Sequence, residues 1–493
     1  MRLLRWLRAP PKKEGMAGWL LLDLLERPQD LPEEAYSAGP YRIFITRRGA
    51  RPLYAAALEE GYLPLLPRIR WCVQRLKEEA ELDLREATWE EVYGQLSAQA
   101  KLLLKAEDTW AAHLAVLEAL GLSRLAPYIL DDRVQEVYVD APFAPLYLDH
   151  LSHGRCSTDH VLEPREKNAL QFLLEAFSDT AYSYTTPSLK GELTILGKRL
   201  RLAVDLQPLS YNGFNMNMRK VSLAQLSLAD LLAQQFLSFE AACFLLACLE
   251  LGAGLAVVGP TGSGKTTLLN CLDPLLPPEL RRLYIEDVVE SQDLLPFGYR
   301  QVKLQVEPVE GWARSRRKAQ EVVKALHKNP DIIILGEVQT AEHSRALFHA
   351  LSAGVQVLCT FHASSCERAL ARWLQVHRVP ALLLPELHLM VGLRREGPGA
   401  RRVWEICEPY EGEGGIRLRP LYSRNDGGLM RAAGFDQMAL AAKLGTTRQE
   451  VERRMREIAR ALGSCLDGGR VAQQQLLGRY WRARQAPLQE AAA

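Results

Sequence analysis

A glycine-rich stretch in the middle of the chain limits most what this sequence can fold into. Gly259, four intervening residues and then Gly264-Lys265-Thr266 reproduce the P-loop pattern without a mismatch. The apolar run Leu255–Val258 precedes this stretch and predicts a buried strand, and the residues from Thr266 onward predict the opening of a helix. A strand, a glycine-rich turn and a helix in this order predict an α/β core that binds a nucleotide.

The chemistry of phosphate binding explains this layout. Glycines let backbone N–H groups turn inward onto phosphate oxygens, and the helix N-terminus adds a partial positive charge. Lys265 can reach the β- and γ-phosphates, and the Thr266 hydroxyl can ligate Mg²⁺. The sequence therefore predicts a site for ATP and Mg²⁺ formed by Gly259, Pro260, Thr261, Gly262, Ser263, Gly264, Lys265, Thr266 and Thr267.

Length and composition favour a multidomain protein of ordinary globular type. The 493 residues predict two to four domains, with 48% apolar and 24% charged residues. Lys and Arg (61) nearly balance Asp and Glu (59), so net charge does not indicate a nucleic-acid partner. The nine cysteines are scattered without a pair of CxxC units, so neither a disulfide framework nor a zinc ribbon is indicated. No signal peptide and no bilayer-spanning segment are expected, and a cytosolic, reducing compartment is the default.

Several segments can be delimited around the predicted core. The predicted organisation is a helical or irregular N-terminal region 1–125, an α+β domain 126–222, a linker 223–235, an ATPase core 236–425 and a C-terminal helical segment 426–493.

Two neighbouring strands predicted in the α+β domain carry arginines. Lys198–Leu206 alternates cleanly, which places Arg199 and Arg201 on the face opposite the apolar residues. The next predicted strand, Phe214–Lys220, contains Arg219 near its end. Solvated arginines on a strand face are one interpretation, and arginines that reach a phosphate across an interface are the other.

Carboxylates follow a second predicted strand of the core. Arg282–Ile285 leads into Glu286, Asp287 and Glu290. In a parallel α/β sheet the carboxyl ends of the strands face the ligand crevice. This position suits Mg²⁺ ligation or polarisation of a water, although three acids in five residues also occur in solvated loops.

Two further predicted strands end in candidate catalytic residues. The strand Asp331–Leu335 is followed by Glu337, where a water-activating carboxylate or an Mg²⁺ ligand is expected. The strand Val355–Cys359 leads to His362, which could sense the γ-phosphate or simply be a hydrogen-bonded histidine at a strand end.

The C-terminal region suggests a helix–turn–helix. Met438–Gly445 and the apolar stripe that begins at Val451 fit such a pair of helices. Because no strongly basic domain accompanies the pair, we expect no nucleic-acid partner.

The order of P-loop, Ile-Glu-Asp box, Gly-Glu strand and Thr-x-His box resembles the type II/type IV secretion and pilus-assembly ATPases, most closely their archaeal branch with the archaellum motor ATPase. The resemblance extends from about Leu130 to Leu462. It implies a RecA-like P-loop core behind an N-terminal domain, assembled into a homohexameric ring. The ring would lie at the cytoplasmic face of the membrane, dock on a polytopic platform protein and act indirectly on pilin-like subunits.

The resemblance also implies roles for individual residues. Lys265 and Thr266 would hold phosphate and Mg²⁺, and Glu337 would activate the attacking water. Glu286, Asp287 and Glu290 fall on the acidic box and His362 on the histidine box. Arg199, Arg201 and Arg219 lie where the family supplies arginines at a subunit boundary.

This sequence departs from the family at positions that usually carry cations. Gln339 replaces an arginine, His327 and Asn329 replace two more, and Val355 replaces a histidine. Either other arginines compensate, with Arg314, Arg316 and Arg317 as candidates, or hydrolysis and subunit coupling are weak. The missing cations suggest one rival function, a weakly catalytic structural ring subunit. A DNA-translocating or uptake ATPase is the other rival.

Overall fold

The computed structural model describes residues 32–49, 51–79, 88–105, 109–177, 183–221, 226–287, 289–306, 312–396, 400–466 and 473–490. The chain divides into two compact units, Met1–Leu223 and Ala224–Ala493. Among the helices so described, none is both long enough and apolar enough to cross a bilayer.

The first unit is an α+β domain built on a nine-stranded sheet, with strands in the order β1-β2-β3-β6-β5-β4-β9-β8-β7. Neighbouring strands are antiparallel except β3 and β6, which are parallel. The strands are β1 Glu34–Ala38, β2 Tyr41–Arg48, β3 Arg51–Leu58, β4 Val134–Val139, β5 Pro145–His150, β6 Gly154–Val161, β7 Ser188–Ile195, β8 Lys198–Leu206 and β9 Phe214–Val221. The helices are α1 Leu66–Glu79, α2 Trp89–Leu104, α3 Thr109–Leu120, α4 Ala126–Leu130 and α5 Pro164–Phe177.

Local sequence signals account for several of these elements. The β8 strand buries Leu200, Leu202 and Val204 on one face, as its alternation predicts. Helix α2 begins with a capping box, because the Thr88 hydroxyl accepts from the Glu91 N–H and the Glu91 carboxylate accepts from the Thr88 N–H.

The first three strands lie where the sequence predicted only helical or irregular structure, within 1–125. They are part of the same sheet as β4–β9, so position 125 does not separate two sheets. The physical reason is that this pairing is non-local. Leu53 on β3 pairs with Ser157 on β6, and no periodicity within residues 34–58 could show such a partner.

The second unit is an α/β domain with a sheet in the order β12-β11-β13-β14-β10-β15-β16-β17-β18. Its strands are β10 Leu255–Val258, β11 Arg282–Glu286, β12 Gln301–Gln305, β13 Ile332–Val338, β14 Gln356–Phe361, β15 Leu389–Glu396, β16 Ala400–Gly412, β17 Gly415–Asn425 and β18 Gly428–Arg431. Its helices are α6 Leu228–Ala233, α7 Phe239–Glu250, α8 Lys265–Leu272, α9 Trp312–Leu326, α10 Ala341–Ser352, α11 Cys366–Ala371, α12 Leu440–Lys443, α13 Arg448–Leu466 and α14 Gln473–Glu490.

The sheet topology positions the nucleotide site. The strands from β12 to β15 pair in parallel, and β15 to β18 continue the sheet as antiparallel strands. The P-loop strand β10 lies between β14 and β15. The carboxyl ends of β10, β11, β13 and β14 therefore meet at one edge of the sheet, which is where α/β sheets bind ligands.

Two boundaries differ from the sequence prediction. In the predicted linker 223–235 the structure has helix α6, begun by a capping box between Ser227 and Asp230, while residues 223–225 lie outside the described part. In the predicted helical segment 426–493 the chain first adds strand β18.

The helices that follow β18 pack against the core. The apolar stripe of α13, which includes Val451 and Ile458, is buried in the cluster that contains α7. This burial accounts for the stripe without a nucleic-acid partner.

Candidate nucleotide site

The phosphate loop connects the end of β10 to the start of α8. Gly262 and Gly264 have φ of +67° and +95°, a left-handed conformation that glycine adopts without strain. At Gly259 an added Cβ would lie 2.5 Å from Ser263 Oγ and 3.0 Å from Leu393 Cβ. The two glycines of the pattern, Gly259 and Gly264, and the intervening Gly262 are therefore each required by backbone conformation or by space.

Lys265 lies at the first helical position, as the P-loop pattern predicts. Its side chain is buried, with the residue only 7% exposed. The Lys265 ammonium donates to the carbonyl oxygens of Gly259 and Pro260, both at 3.0 Å. Its nitrogen lies 3.3 Å from Nδ1 of His362. The cation of the loop and the histidine at the end of β14 are therefore in direct contact.

His362 also contacts Glu337, near the end of β13. The His362 Nε2 atom lies 2.6 Å from Glu337 Oε1, and the Gln339 amide donates to Glu337 Oε2 at 2.8 Å. A neutral imidazole with its proton on Nε2 satisfies both contacts, because Nδ1 then accepts from the Lys265 ammonium and Nε2–H donates to the carboxylate. The three residues form one hydrogen-bonded chain from Glu337 through His362 to Lys265.

The environment of Glu337 favours its ionised form. Burial opposes the charge, but the hydrogen bonds from His362 and the Gln339 amide and the charge of the nearby Lys318 outweigh it and lower the pKa of Glu337 to about 2. The carboxylate is therefore anionic across the physiological range. Each of its oxygens keeps a free lone pair after accepting one bond, so a water could still bind.

Glu286 is folded inward onto its own loop. Its Oε1 accepts from the N–H groups of Glu290 and Ser291 at 3.1 and 3.0 Å, and its Oε2 accepts from the Ser291 hydroxyl at 2.6 Å. Burial raises the pKa of Glu286, with these hydrogen bonds acting in the opposite direction. Asn270 on α8 also stabilises this loop, because its side-chain amide donates to the Glu290 carbonyl oxygen at 2.8 Å. Glu286 thus shapes the acidic box, and its predicted role as a catalytic or metal-binding residue stays a prediction.

Lys318 is a functional candidate that the sequence analysis missed. Its ammonium is 2% exposed and donates to Asp287 Oδ2 and to the Glu337 carbonyl oxygen, both at 2.8 Å. It therefore joins the acidic box after β11 to the carboxyl end of β13. A signal was present, because Lys318 lies on the same helical face as the buried Val322 and Ala325.

Arginines of the β15–β16 hairpin also lie at the phosphate loop. A Cβ added at Gly262 would lie 2.1 Å from Arg395 Nη2, so this guanidinium lies directly over the loop. A Cβ added at Gly264 would lie 3.9 Å from Arg401 Cδ. The sequence analysis did not select them, because their position depends on the pairing of β15 with the P-loop strand. The side chains of Arg314, Arg316 and Arg317 lie outside the described part of the structure.

The residues around the loop fit a bound Mg²⁺. Asp287 Oδ1 and Ser263 Oγ are buried and have no hydrogen-bond partner within the described residues. A buried carboxylate oxygen and a buried hydroxyl without partners are what a bound cation or phosphate would satisfy. Asp287 and Thr266, both at the ligand edge of the sheet, would hold the ion.

The three arginines predicted at a subunit boundary share one face of the first unit. Arg201 and Arg219 are direct cross-strand partners on β8 and β9, and Arg199 lies two residues from Arg201 on the same face. This geometry groups them without assigning their partner, and their action on a neighbouring subunit stays a prediction.

Sequence comparison reaches the same site. A sequence profile for the family described as type II/IV secretion system protein matches residues 189–394, which include the P-loop, Glu337 and His362. Residues 189–394 are therefore similar to the type II/IV secretion system protein family. The matched range includes the P-loop and the parallel strands of the second unit, which is accordingly an α/β P-loop domain that resembles this family.

Proteins with similar sequences occur in archaea and bacteria. An uncharacterized protein of Methanocaldococcus jannaschii is 28% identical over 260 residues, which cover 52% of this chain and 45% of that protein. The type IV secretion system protein PtlH of Bordetella pertussis is 33% identical over 172 residues, which cover 32% of this chain and 50% of PtlH. The matches span 45%, 33% and 65% of the length of the first three curated relatives.

Among solved structures, the X-ray structure of the Legionella pneumophila ATPase DotB aligns with 78% of this chain and 95% of its own. The sequence identity is 16% and the TM-score 0.41. The crystal structure of the pilus retraction motor PilT with bound ADP aligns with 72% of this chain and 95% of its own, at 15% identity and a TM-score of 0.41.

Proposed function

We propose that this chain is a motor ATPase that hydrolyses ATP at the P-loop and drives assembly of pilus-like filaments or a related secretion process. The observation that carries the proposal is the hydrogen-bonded chain from Glu337 through His362 to Lys265. It links a carboxylate suited to orient water with the cation suited to hold the terminal phosphate. A structural P-loop without turnover would not require that link.

Each residue of the chain has a defined task in hydrolysis. Lys265 exchanges its two carbonyl acceptors for phosphate oxygens when ATP binds, because an anion is the stronger acceptor for an ammonium. When the Lys265 ammonium moves to the phosphate, its hydrogen bond to His362 Nδ1 changes. His362 transmits this change to Glu337 through the hydrogen bond that its Nε2–H donates. Thr266 and Asp287 would hold Mg²⁺, which would neutralise charge on the phosphates.

The low pKa of Glu337 specifies how it acts. A carboxylate with a pKa of about 2 is a weak base, so it does not remove a proton from water before the phosphoryl bond breaks. In the loose transition state of phosphoryl transfer, the nucleophile needs orientation more than early deprotonation. Glu337 is therefore proposed to orient the attacking water and to accept its proton late.

Polar or charged side chains of this chain stand in for the cations that the family usually places near this site. Gln339, at the position of a family arginine, now orients the Glu337 carboxylate. Lys318 neutralises the acidic box, and Arg395 lies over the phosphate loop. These replacements favour real turnover over a purely structural ring subunit.

The proposed setting of the motor follows from the family. We infer a homo-oligomeric ring, six-membered as the resemblance implies, at the cytoplasmic face of the membrane. Arg199, Arg201 and Arg219 would act on the neighbouring subunit's nucleotide. A polytopic platform protein would receive the motion and pass it to pilin-like subunits. The match to proteins of Methanocaldococcus jannaschii favours the archaeal branch.

Phosphate release by the full-length chain with Mg·ATP tests the proposal. Lys265→Ala is expected to abolish both ATP binding and phosphate release, because the phosphate loop loses the ammonium that would contact the β- and γ-phosphates. Lys324→Ala is the matched control, since this lysine is 63% exposed on α9 and pairs with Glu321. Wild-type rates in Lys265→Ala would refute the site. Hydrolysis that requires added DNA would instead favour a DNA-translocating ATPase.

A further inference from the structure

Three metal-binding side chains converge in the second unit outside the nucleotide site. Cys366 begins helix α11, and Glu405 and Cys407 lie on β16. One donor atom from each lies within 4.8 Å of the donor atoms of the other two. Cys366 is fully buried, Cys407 is 3% exposed and Glu405 is half-buried.

Local backbone geometry holds the three groups together. Glu405 and Cys407 are two residues apart on one strand, so both project from the same face. The Cys366 N–H donates to Glu405 Oε1 at 3.1 Å, and the Cys407 thiol lies 3.8 Å from Glu405 Oε2. The Glu405 carboxylate is therefore held by the backbone of Cys366 on one side and lies next to the Cys407 thiol on the other.

A glycine on β15 leaves the room that this cluster needs. A Cβ added at Gly392 would lie 2.7 Å from Glu405 Cγ, 2.9 Å from Glu405 Oε1 and 3.1 Å from Cys366 Sγ. Any side chain at position 392 would thus displace the carboxylate or the thiol. Gly392 lies outside the P-loop, and the space that Glu405 and Cys366 occupy explains why this position requires glycine.

The chemistry of the cluster suits a divalent cation. Such an ion would stabilise two thiolates and a carboxylate at once and would release the thiol protons.

We propose that Cys366, Glu405 and Cys407 form a binding site for Zn²⁺. Two thiolates and one carboxylate are ligands that Zn²⁺ accepts, at about 2.3 Å for sulfur and about 2.0–2.2 Å for oxygen. Donor atoms that lie within 4.8 Å of one another can reach these lengths with small side-chain rotations. Three protein ligands leave the fourth tetrahedral position to a water, and the half-buried Glu405 marks the side from which the ion enters.

The site would couple two elements next to the nucleotide. Cys366 follows His362 by four residues along the chain, and Arg372, just after α11, donates to the His362 carbonyl at 2.9 Å. Bound Zn²⁺ would cross-link the N-terminus of α11 to β16 and thereby restrain the segment that carries His362.

Cobalt titration of the reduced, chelator-treated full-length chain tests this proposal. Thiolate ligation gives Co²⁺ an intense near-ultraviolet charge-transfer absorption, which we expect to saturate at one equivalent and to disappear on addition of Zn²⁺. Cys366→Ser and Cys407→Ser should each lose this absorption, and Glu405→Gln should weaken Co²⁺ binding at least tenfold. Cys243→Ser, a buried cysteine on α7, is the matched control and should behave as the wild type.

A thermal melt provides a second readout that does not depend on cobalt. Zn²⁺ should raise the melting temperature of the wild type and of Cys243→Ser but not that of Cys407→Ser, provided that each variant shows a cooperative transition in chelator. Absence of the charge-transfer band in wild type, or its persistence in both Cys366→Ser and Cys407→Ser, would overturn the proposal. Neither outcome depends on ATP hydrolysis.

Discussion

At Glu337, two opposing influences act on one carboxyl group. Burial raises its pKa, whereas the hydrogen bonds from His362 and Gln339 lower it, and the balance lies at about 2. The ionised form of Glu337 is thus favoured more strongly in the folded chain than in the unfolded chain. Its stabilising effect is fully present above the ordinary pKa of about 4.5 and is lost as the pH falls towards about 2.

This linkage predicts how stability changes with pH. The wild type should be more stable to urea than Glu337→Gln at pH 7, and the difference should shrink steadily as the pH falls from about 4.5 towards about 2. Glu386→Gln, at an exposed position away from the site, provides the control. A difference that stays constant with pH would show that the contacts around Glu337 do not favour its ionised form.

Lys318 allows a second prediction at the residue scale. Lys318→Met removes the ammonium that joins Asp287 to the Glu337 carbonyl, so we expect kcat to fall at least tenfold with a smaller change in KM. Lys318→Arg should restore part of kcat, because it returns the charge. Lys324→Met on the same helix controls for loss of an exposed lysine. An unchanged kcat in a folded Lys318→Met protein would reduce Lys318 to a packing residue.

The residues that sequence could identify are those whose role depends on local spacing. The P-loop, Glu337 and His362 follow strands that their own apolar runs reveal, and the structure brings these residues into contact. Lys318 and Arg395 reach the site through helix and strand packing, so only the folded chain shows them. Glu286 illustrates the remaining gap, because its position was predicted while its inward hydrogen bonds were not.

At the scale of elements, β16 organises the C-terminal part of the second unit through Glu408. This carboxylate is fully buried, pairs with Arg419 on β17 and accepts from the N–H groups of Ala439 and Leu440 at the start of α12. The Glu408 side chain therefore accepts hydrogen bonds from two N–H groups at the start of a short helix and also balances the charge of Arg419.

Glu408→Ala should consequently destabilise the second unit strongly. Removing one partner of a buried ion pair leaves Arg419 and two N–H groups unsatisfied, at a cost of about 3–5 kcal/mol. The exposed Glu411→Ala on the same strand should change stability by less than about 0.5 kcal/mol. Urea denaturation followed by circular dichroism measures both, and a small effect at Glu408 would show that water replaces its contacts.

The same scale explains where element prediction failed. Strands β10, β11, β13 and β14 are buried on both faces, and their continuous apolar runs predicted them closely. Strands β1–β3 follow one another with turns at Gly39 and Gly49, and they are defined by pairing with each other and with β6. Helix α6 was not predicted, because its six residues are too few to show a helical periodicity.

At the scale of the whole molecule, the chain combines an α+β unit and an ATPase unit. The first unit presents Arg199, Arg201 and Arg219 on one face of its sheet. In the proposed ring, these guanidinium groups would neutralise charge that develops on the phosphates of a neighbouring subunit's nucleotide. We therefore expect turnover in such a ring to require groups from two subunits.

The most direct test measures ATP affinity and phosphate release together in Glu337→Gln. The substitution keeps the size of the side chain but removes the carboxylate that orients water, while Lys265 and the phosphate loop stay intact. We expect ATP to bind within a few-fold of the wild-type affinity and phosphate release to fall by at least a hundredfold. Phosphate release at the wild-type rate by Glu337→Gln would contradict the account, because hydrolysis would then proceed without the residue on which it rests.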